Sequence, residues 1–481
     1  MKQTKIVCSI SDRRCEVDFI RKLFFAGMNV VRMNTAHASA DGIQQIVSNP
    51  RAVSPKLALL IDNKGPEMRT TGCDNPIDYK VGEVVKIIGN PNADTTHDVI
   101  NVSYPNFAID VKVGKHILFD DGVLDMLVTE IAGNEVVVEV QNDGKLGSHK
   151  SVNVPGVHID LPALTEKDKV NIQLAIDEYI DFIAHSFVRS AADVKAVQDI
   201  LDAHHSEIKI ISKIENQEGV DNIDDIIDAS YGIMIARGDL GIEVPIEQIP
   251  GIQRDIIMKC ILKQKPVIVA TQMLHTMIEN PRPTRAEVTD IANAIYSYTD
   301  ALMLSGETAS GKYPLEAVQT MARIAETAEK DNHKRGYIDV PLSNIKSQRE
   351  FLAKSAIMAT EQVGVKCIIT DSASGATARH LASFRGPHPV LAMCYNDKIQ
   401  RLLNLSYGVL PVHLANHTDN EHMFMAAVRM MRQKGYIKLE DKIAYLAGYI
   451  TNGGGTNFLE INTLKQVFDP NYKFHNTMSE K

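Results

Sequence analysis

Three residues near the middle of the chain have types that suit phosphate chemistry: Lys213, Glu215 and Asp239. Mg²⁺ is usually held by one or two carboxylates and fills its octahedral shell with water and substrate oxygens, so Glu215 and Asp239 are the strongest metal-ligand candidates. In a strand, Lys213 faces the same side as Glu215, where its ammonium group could neutralise a transferring phosphoryl group. Two acids in ordinary surface ion pairs are the competing interpretation of Glu215 and Asp239. Gly238 allows a ligand to approach the backbone closely, although a plain turn glycine explains it equally well.

Four basic residues near strand-like segments would make such a site positive: Arg32, Lys64, Arg69 and Arg237. The whole chain has a formal net charge of −9, which argues against a general nucleic-acid or membrane-surface binder. An anionic substrate would therefore need this local basic cluster. The sequence has no GxxxxGK[ST] motif and no convincing GxGxxG, so neither a P-loop nor a Rossmann nucleotide site is predicted.

Short apolar or β-branched runs alternate with segments of helical periodicity, which predicts strands alternating with helices. Helix-start signals at Thr165–Asp168, Thr284–Glu287 and Pro314 support the alternation. Eight such strands favour a (β/α)₈ barrel, a TIM barrel, over an open sheet. The predicted strands are 5–10, 29–33, 57–62, 182–186, 209–213, 232–236, 266–270 and 301–304.

The candidate residues gather at one end of these strands. Active sites of such barrels lie at the carboxyl ends of the strands, and surface charges placed at random would not favour one rim. Thr271, taken alone, is more typical of a helix cap or a core hydroxyl. Besides the residues already named, the strand ends carry Asn34, His37, Asp62, Ser186, Arg189, Thr271, Ser305 and Glu307.

The alternation predicts three domains. Residues 1–69 and 158–332 form the barrel, and residues 70–157, with period-two strands and hairpin turns at Asp120–Gly122 and Gly133-Asn134, form an inserted β-barrel-like domain. Residues 333–481 form a C-terminal α/β domain with four predicted strands. The six cysteines have no metal-ligand spacing, and no signal peptide or apolar run of about 20 residues is present. We therefore expect a cytoplasmic protein with reduced thiols.

The same residues resemble the pyruvate kinase family along nearly the whole chain. The most specific segments are ISKIENQEG (211–219), ARGDLG (236–241) and NPRPTRAE (280–287), in that order, and DNKGPEMR (62–69) and MLSGETA (303–309) agree. The resemblance implies transfer of a phosphoryl group from phosphoenolpyruvate to ADP, giving pyruvate and ATP. It implies Mg²⁺ or Mn²⁺ and K⁺ as cofactors, and an inserted domain that closes as a lid over the site.

The resemblance also implies roles for individual residues. Glu215 and Asp239 would bind the divalent ion, Lys213 would stabilise the phosphoryl group in transfer, and Arg32 would contact phosphate. The substrate carboxylate would be bound by Gly238, Asp239 and Thr271, and Thr271 with Ser305 would take part in protonating the enolate. The nucleotide side would be lined by Asn34, His37, Arg69 and Lys150, the last from the inserted domain.

The departures from the family pattern concern the monovalent ion. The resemblance implies K⁺ ligands at Asn34, Asp62 and the backbone of Asn63, but Ala36 replaces a serine that usually supplies a further oxygen. Glu67 is the residue that the family associates with dependence on K⁺. We therefore expect a K⁺ site that is retained but weakened.

The C-terminal domain is where such enzymes bind effectors. Residues 372–377 precede a predicted helix whose N-terminal amides could receive the phosphate of an effector, with Gly453–Asn457 nearby, although an ordinary cap and turn explain both segments. Such enzymes are usually homotetramers. Two rival functions remain open: an aldolase or lyase barrel that uses a Mg²⁺-bound enolate without nucleotide, and a regulatory homologue that has lost activity.

Overall fold

A computed structural model describes residues 2–35, 40–334, 338–344, 346–414, 420–448 and 455–469. Its centre is a closed barrel of eight parallel strands in which every strand pairs with its neighbours in chain order. The predicted (β/α)₈ barrel is therefore confirmed, and all eight predicted strands are present. The strands are β1 (Lys5–Ser9), β2 (Val30–Asn34), β3 (Ala58–Asp62), β4 (Phe182–His185), β5 (Lys209–Ile214), β6 (Gly232–Ala236), β7 (Val267–Ala270) and β8 (Ala301–Leu304).

The barrel strands are buried on both faces, which explains their nearly continuous apolar sequences. Inward-facing side chains such as Phe182 and Met234 fill the interior of the barrel. The outward-facing side chains pack under the surrounding helices, as Ile183 and Ile235 do. Because both faces are occupied by packed side chains, the chemistry is confined to the ends of the strands.

Helices form the outer layer of the barrel. Both capping boxes predicted from the sequence are present, with Thr165 and Asp168 at one helix start and Thr284 and Glu287 at another. The helices are Val17–Ala26, Ala40–Val53, Glu166–Asp177, Ala191–Ala203, Gln217–Asp221, Ile223–Ala229, Arg237–Glu243, Ile249–Leu262, Arg285–Tyr296, Gly306–Ala309 and Pro314–Lys334, with 3₁₀ turns at Ile246–Gln248 and His275–Ile278.

An all-β unit with its own apolar core lies between β3 and β4, as predicted. Asp120 and Asp121 have φ of 50° and 57° in the tight turn that was predicted there. Four short strands were not predicted because they carry too few residues to show a period. They are Ile77–Tyr79, Val99–Val102, Gly144–Leu146 and Val152–Asn153. The strands are Ile77–Tyr79, Val84–Gly89, Val99–Val102, His116–Phe119, Leu124–Ala132, Glu135–Val140, Gly144–Leu146 and Val152–Asn153, with one helical turn at Phe107–Asp110.

The C-terminal unit is a five-stranded sheet with helices, in agreement with the predicted α/β domain. Its last strand pairs antiparallel with Lys442–Ala447 and was missed, because its mixed polar and apolar side chains are only partly buried. The strands are Val365–Ser372, Val390–Cys394, Val409–His413, Lys442–Ala447 and Phe458–Thr463. The helices are Gln348–Gln362, Ala376–Ser383, Asp397–Leu402, Asn420–Gln433 and Leu464–Val467, with a 3₁₀ turn at Leu403–Leu405.

Two further observations concern the whole described chain. All six cysteines are free thiols, and only Cys73 is not buried. Among the helices in the described ranges, none combines the length and apolar composition that a membrane crossing requires.

Candidate active site

Lys213 is the centre of a buried polar cluster at the carboxyl ends of the strands. It is the next-to-last residue of β5, and its ammonium nitrogen lies 2.8 Å from Glu215 Oε1 and 3.3 Å from Asp62 Oδ1. Burial alone would lower the pKa of Lys213, but the two carboxylates outweigh burial and raise the pKa well above its usual value. The side chain is therefore a permanently charged cation held at the end of β5.

Glu215 follows β5 and is 1% exposed. Its Oε2 accepts a hydrogen bond of 2.7 Å from the backbone amide of Phe187, and its Oε1 faces Lys213. Burial raises the pKa of Glu215 to about 7, Lys213 opposes this shift, and the nearby carboxylate of Asp239 adds to it. The carboxylate is thus desolvated and close to a second acid, a position in which it gains from a bound cation.

Arg32 and Asp62 join β2 to β3. Arg32 Nε donates to Asp62 Oδ2 at 2.7 Å, and a terminal guanidinium nitrogen donates to Ser9 Oγ at 2.8 Å. Burial favours the neutral form of Asp62, but Arg32 and Lys213 more than compensate and lower its pKa. Arg32, Asp62 and Lys213 therefore form one connected charged network at the carboxyl ends of β2, β3 and β5.

Thr271 and Gly238 connect β7 to the helix that follows β6. The amide of Gly238 donates to Thr271 Oγ1 at 2.8 Å, and Thr271 Oγ1 donates to the carbonyl of Ala270 at 2.6 Å. Thr271 has φ of +70°, an uncommon conformation for a β-branched residue and one that clusters at functional sites. A Cβ at Gly238 would meet Thr271 at an ordinary contact of 3.6 Å, so the local packing does not require glycine there.

Ser305 stands at the end of β8, where Glu307 fixes the backbone. The amide of Ser305 donates to Glu307 Oε2 at 2.8 Å, and the amide of Leu274 donates to Oε1 at 3.0 Å. Glu307 therefore ties the ends of β7 and β8 together, which sets Ser305 on the same rim as Thr271.

The predicted positive mouth is wrong in one respect, because its basic residues have carboxylate partners. Arg237 pairs with Asp290 at 2.8 Å and also donates to the carbonyl of Thr271. Lys64 and Arg69 both pair with Glu67. Partly buried guanidinium and ammonium groups are stabilised by such partners, so these residues add little net charge.

The inserted unit meets the barrel through Arg69 and its neighbours. Arg69 pairs with Ser151 in an isolated antiparallel bridge, and its guanidinium donates to the carbonyl of His149 at 2.6 Å. Lys150 lies beside this bridge, with its ammonium group 2.8 Å from Asp120. The structure thus brings Arg69 and Lys150 together, Asn34 ends β2, and His37 and Ala36 lie outside the described residues.

The backbone of Asn63 takes part in the hydrogen-bond network around Lys213. Its carbonyl accepts a 2.6 Å hydrogen bond from Ser186 Oγ, and its amide donates to Ala184. The side chain is 1% exposed, and neither of its amide atoms has a hydrogen-bond partner among the described residues. The carbonyl predicted to face a monovalent ion therefore already has one donor.

Ser186 is a functional candidate at a strand end for which the sequence alone predicts no role. Lys213 Nζ donates to Ser186 Oγ at 2.7 Å, and Ser186 in turn donates to Asn63. Among the described residues, Ser186 is the one uncharged side chain to which Lys213 Nζ donates a hydrogen bond. The only sequence feature that pointed to Ser186 was its position directly after a predicted strand. Many serines without a function occupy such positions.

A cleft of about 440 Å³ opens between the inserted unit and the barrel, and Asp239 and Glu67 line it. Asn153 of the inserted unit donates to Glu243 of the barrel across this cleft at 2.9 Å. The cleft offers space for a small ligand next to Asp239.

The charges of the site fit a divalent cation. Asp62, Glu215 and Asp239 all act on Lys213, whereas Arg32 and Lys213 are the cations of this network, so one carboxylate is in excess. Within the described ranges, no group of three or more histidine, cysteine or acidic side chains is arranged to hold a metal. Two carboxylates with open positions suit Mg²⁺, which keeps sites for water and substrate oxygens.

The fold and site together define a TIM-barrel phosphotransferase with a lysine held between carboxylates at the mouth. The family model described as pyruvate kinase, barrel domain, matches residues 1–318, and the model described as pyruvate kinase, alpha/beta domain, matches residues 350–462. The chain belongs to the pyruvate kinase family.

Individual relatives agree with this assignment. The chain is 46% identical to a pyruvate kinase of Borreliella burgdorferi over 97% of this chain and 98% of that protein. It is 42% identical to a pyruvate kinase of Bacillus licheniformis, over 97% of this chain and 81% of the relative. A crystal structure of a pyruvate kinase from Cryptosporidium parvum superposes with a TM-score of 0.92 at 34% identity, covering 96% of both chains.

Proposed function

We propose that this chain transfers the phosphoryl group of phosphoenolpyruvate to ADP, giving pyruvate and ATP. The proposal rests on the position of Lys213, a buried cation at the mouth of the barrel. Its ammonium group is held by contacts with Glu215, Asp62 and Ser186. Phosphoryl transfer requires mainly positioning and charge stabilisation, and a cation held in place by its neighbours supplies both without reorganisation. Lys213 would contact the phosphoryl group in transfer, and Arg32 would bind the phosphate from β2.

Glu215 and Asp239 are the residues that would hold Mg²⁺ or Mn²⁺. Such an ion, when bound, supplies Lewis-acid polarisation of substrate oxygens. Lys213 would keep Glu215 oriented toward the cleft, while the Phe187 amide fixes the other carboxylate oxygen. These contacts keep the acid in one geometry before substrate arrives.

The carboxylate of the substrate would be bound beside Thr271. The amide of Gly238 donates to Thr271 Oγ1, and on substrate binding this amide would donate to a carboxylate oxygen of the substrate instead. Asp239 contributes the next amide. Thr271 and Ser305 lie on adjoining strand ends, tied together by Glu307, and would deliver the proton that converts the enolate to pyruvate.

Asn34, Asp62 and the carbonyl of Asn63 would form the monovalent site for K⁺. Asp62 fits this role because its pKa is lowered, so it stays anionic. The missing oxygen at Ala36 removes one ligand, from which we infer weak K⁺ binding. Asn34, Arg69, Lys150 and His37 would bind ADP and ATP, and closure of the inserted unit as a lid would exclude water from the phosphoryl group.

The C-terminal unit would carry regulation. The residues between Ser372 and Thr377 lead from a strand into the helix Ala376–Ser383, where backbone amides favour the phosphate of an effector. Gly455, Thr456 and Asn457 of the predicted second loop are near, since Thr456 Oγ1 lies 2.7 Å from Thr377 Oγ1, whereas Gly453 and Gly454 lie outside the described residues. A cytoplasmic homotetramer completes the proposal.

Phosphorus NMR spectroscopy of the reaction mixture tests the proposed reaction. The purified chain is incubated with phosphoenolpyruvate, Mg²⁺ and K⁺, with and without ADP. We expect the phosphoenolpyruvate signal to be replaced by the γ-phosphate of ATP only when ADP is present. Loss of phosphoenolpyruvate without ADP would favour the lyase alternative, and binding of phosphoenolpyruvate without any turnover would favour the regulatory homologue.

A further inference from the structure

Residues 186–189, the turn that follows β4, contact the candidate active site through their first two members. Lys213 donates to Ser186 Oγ at 2.7 Å, and the amide of Phe187 donates to Glu215 Oε2 at 2.7 Å. The turn therefore holds both a proposed metal ligand and the cation on which the proposed reaction depends. The last member of the turn, an arginine, has no role in that reaction.

This arginine, Arg189, binds the return segment, residues 157–161, which leads from the inserted unit back to the barrel. Its Nη1 donates to the carbonyl of Ile159 at 3.1 Å, and its Nη2 donates to the carbonyl of Leu161 at 2.8 Å. Asp193, in the first turn of the following helix, fixes the guanidinium with contacts of 3.3 Å to Nε and 3.2 Å to Nη2. A planar guanidinium carries enough donors to hold two carbonyls and a carboxylate together. The barrel thus holds the backbone of the return segment through one side chain.

The side chains of the return segment pack on the inserted unit instead. Val157, Ile159 and Leu161 contact the apolar core of that unit. The amide of Asp160 donates to Asp110 Oδ2, also in the inserted unit, at 3.1 Å. The return segment would therefore move with the inserted unit, while its carbonyls are attached to the barrel.

The turn between these two sets of contacts has little freedom to adapt. Phe187 has φ of +54°, an uncommon conformation for a residue with a side chain, which persists only where the surroundings enforce it. A Cβ at Gly219, in the helix that follows Glu215, would lie 2.6 Å from the carbonyl oxygen of Val188, so this helix packs directly on the turn. Because close-packed interiors transmit strain, a displacement of Arg189 would reach the backbone that positions Glu215.

We propose that Arg189 is a positioning residue that couples the return segment of the inserted unit to Glu215 through the turn 186–189. The inference rests on the proposed function, since it takes Glu215 to be a ligand of the divalent ion. Movement of the return segment displaces Arg189, and the turn passes this displacement to the Phe187 amide and so to the carboxylate. Because coupling between two sites is reciprocal, a bound divalent ion would in turn restrain the return segment.

Hydrogen exchange of the full chain, followed by mass spectrometry with and without Mn²⁺, tests this coupling. The amides of Val157, Asp160 and Leu161 donate hydrogen bonds, so their exchange rates report opening of the return segment. We expect saturating Mn²⁺ to slow their exchange by about fivefold in wild type and to have no effect in Arg189→Met. The electron paramagnetic resonance signal of free Mn²⁺ gives the affinity, which should be about fivefold weaker in Arg189→Met.

Arg51→Met is the matched control. Arg51 also donates to two backbone carbonyls and to an aspartate, Asp181, but it does so at the amino ends of the strands. Its removal should leave the Mn²⁺ affinity and the effect of Mn²⁺ on exchange as in wild type, and the thermal midpoints of both variants separate a general loss of stability from a loss of coupling. Arg189→Lys keeps the charge but cannot hold both carbonyls and the carboxylate, so it should retain only part of the coupling. This variant decides the question if Arg189→Met does not fold.

The outcomes separate the inference from the proposed function. Equal slowing of exchange by Mn²⁺ in wild type and in both Arg189 variants would overturn the inference alone. Mn²⁺ that binds to wild type but leaves exchange in the return segment unchanged would do the same. Failure of wild type to bind Mn²⁺ would overturn the proposed metal site and the inference with it.

Discussion

The two ends of the same barrel strands use buried charge in different ways. Asp181 precedes β4 and Ser186 follows it, while Asp300 precedes β8 and Ser305 follows it. At the amino ends, Asp181 and Asp300 are matched by arginines, whereas the network around Lys213 at the carboxyl ends has three acids and two cations.

Asp300 shows the matched arrangement. Both of its oxygens accept from Arg385, at 3.0 and 2.6 Å, and Oδ1 also accepts from the amide of Tyr407. Asp181 is held in the same way by Arg51 and Arg401. These pairs join the barrel to the C-terminal unit. The comparison indicates that the ion pairs of Asp181 and Asp300 serve assembly, whereas the uncompensated carboxylate at the mouth serves the proposed reaction.

The largest expected effect is on Lys213. Lys213→Met removes the cation that faces the phosphoryl group, so kcat should fall by about a thousandfold. Binding of Mn²⁺, followed by its electron paramagnetic resonance signal, should persist because both carboxylates remain. Lys209→Met, at the other end of β5, is the control and should retain wild-type kcat. A near-normal kcat in Lys213→Met would remove the lysine from its role.

The next effect concerns stability instead of rate. Asp300→Ala leaves Arg385 buried without its partner, and the free energy of unfolding should fall by about 3–5 kcal/mol. Denaturant unfolding measures this loss, while kcat of the folded fraction should stay within about twofold, because Asp300 lies at the far end from the chemistry. The double variant Asp300→Leu with Arg385→Met should regain part of the stability. A large loss of kcat in the folded Asp300→Ala variant would contradict the division between the two ends.

Much of this arrangement was predictable from the sequence, because it depends on residues that are close together in the chain. The strands are short apolar runs, so the residue types alone placed Lys213, Glu215, Asp239 and Thr271 at one rim. What could not be predicted was pairing between distant segments. Nothing in the sequence indicated that Asp290 would neutralise Arg237, because the two residues meet only when the helices pack.

The short strands of the inserted unit and the role of Ser186 also depend on distant segments, so they could not be predicted from the sequence. Strands of two to four residues, such as Val152–Asn153, have no readable period and depend on partners far along the chain. Ser186 gains its role from Lys213, 27 residues away, and from the carbonyl of Asn63. A pattern in one segment carries no information about such contacts.

Ser186 provides a smaller test at the mouth. Ser186→Ala removes a neutral acceptor that orients Lys213, so kcat should fall by about tenfold with an unchanged Michaelis constant for phosphoenolpyruvate. Ser186→Thr keeps the hydroxyl and should restore most of the rate. Ser212→Ala, which removes another buried serine, bonded to Ser230 at 2.6 Å, is the control. Equal rate losses in the Ser186→Ala and Ser212→Ala variants would show that Ser186 contributes to packing and does not orient Lys213.

The last effect is a pH dependence of stability. His185 is fully buried, and burial lowers its pKa to about 4, so the folded chain holds it neutral while the unfolded chain binds a proton below about 6.5. Stability should therefore fall as the pH drops from about 6.5 to 4, by roughly 3 kcal/mol for this residue. His185→Gln should lose less stability over this range than wild type. The exposed His204→Gln should match wild type, and equal pH profiles for all three proteins would contradict the assignment.

The most direct measurement of the central claim is the rate of ADP-dependent pyruvate formation by the purified chain, with Mg²⁺ and K⁺ each present or omitted. A phosphoryl-transfer site at the mouth of the barrel predicts rapid pyruvate formation with both ions, none without the divalent ion, and a reduced rate without K⁺. Pyruvate formation that continues without ADP, or a rate that is indifferent to Mg²⁺, would contradict it.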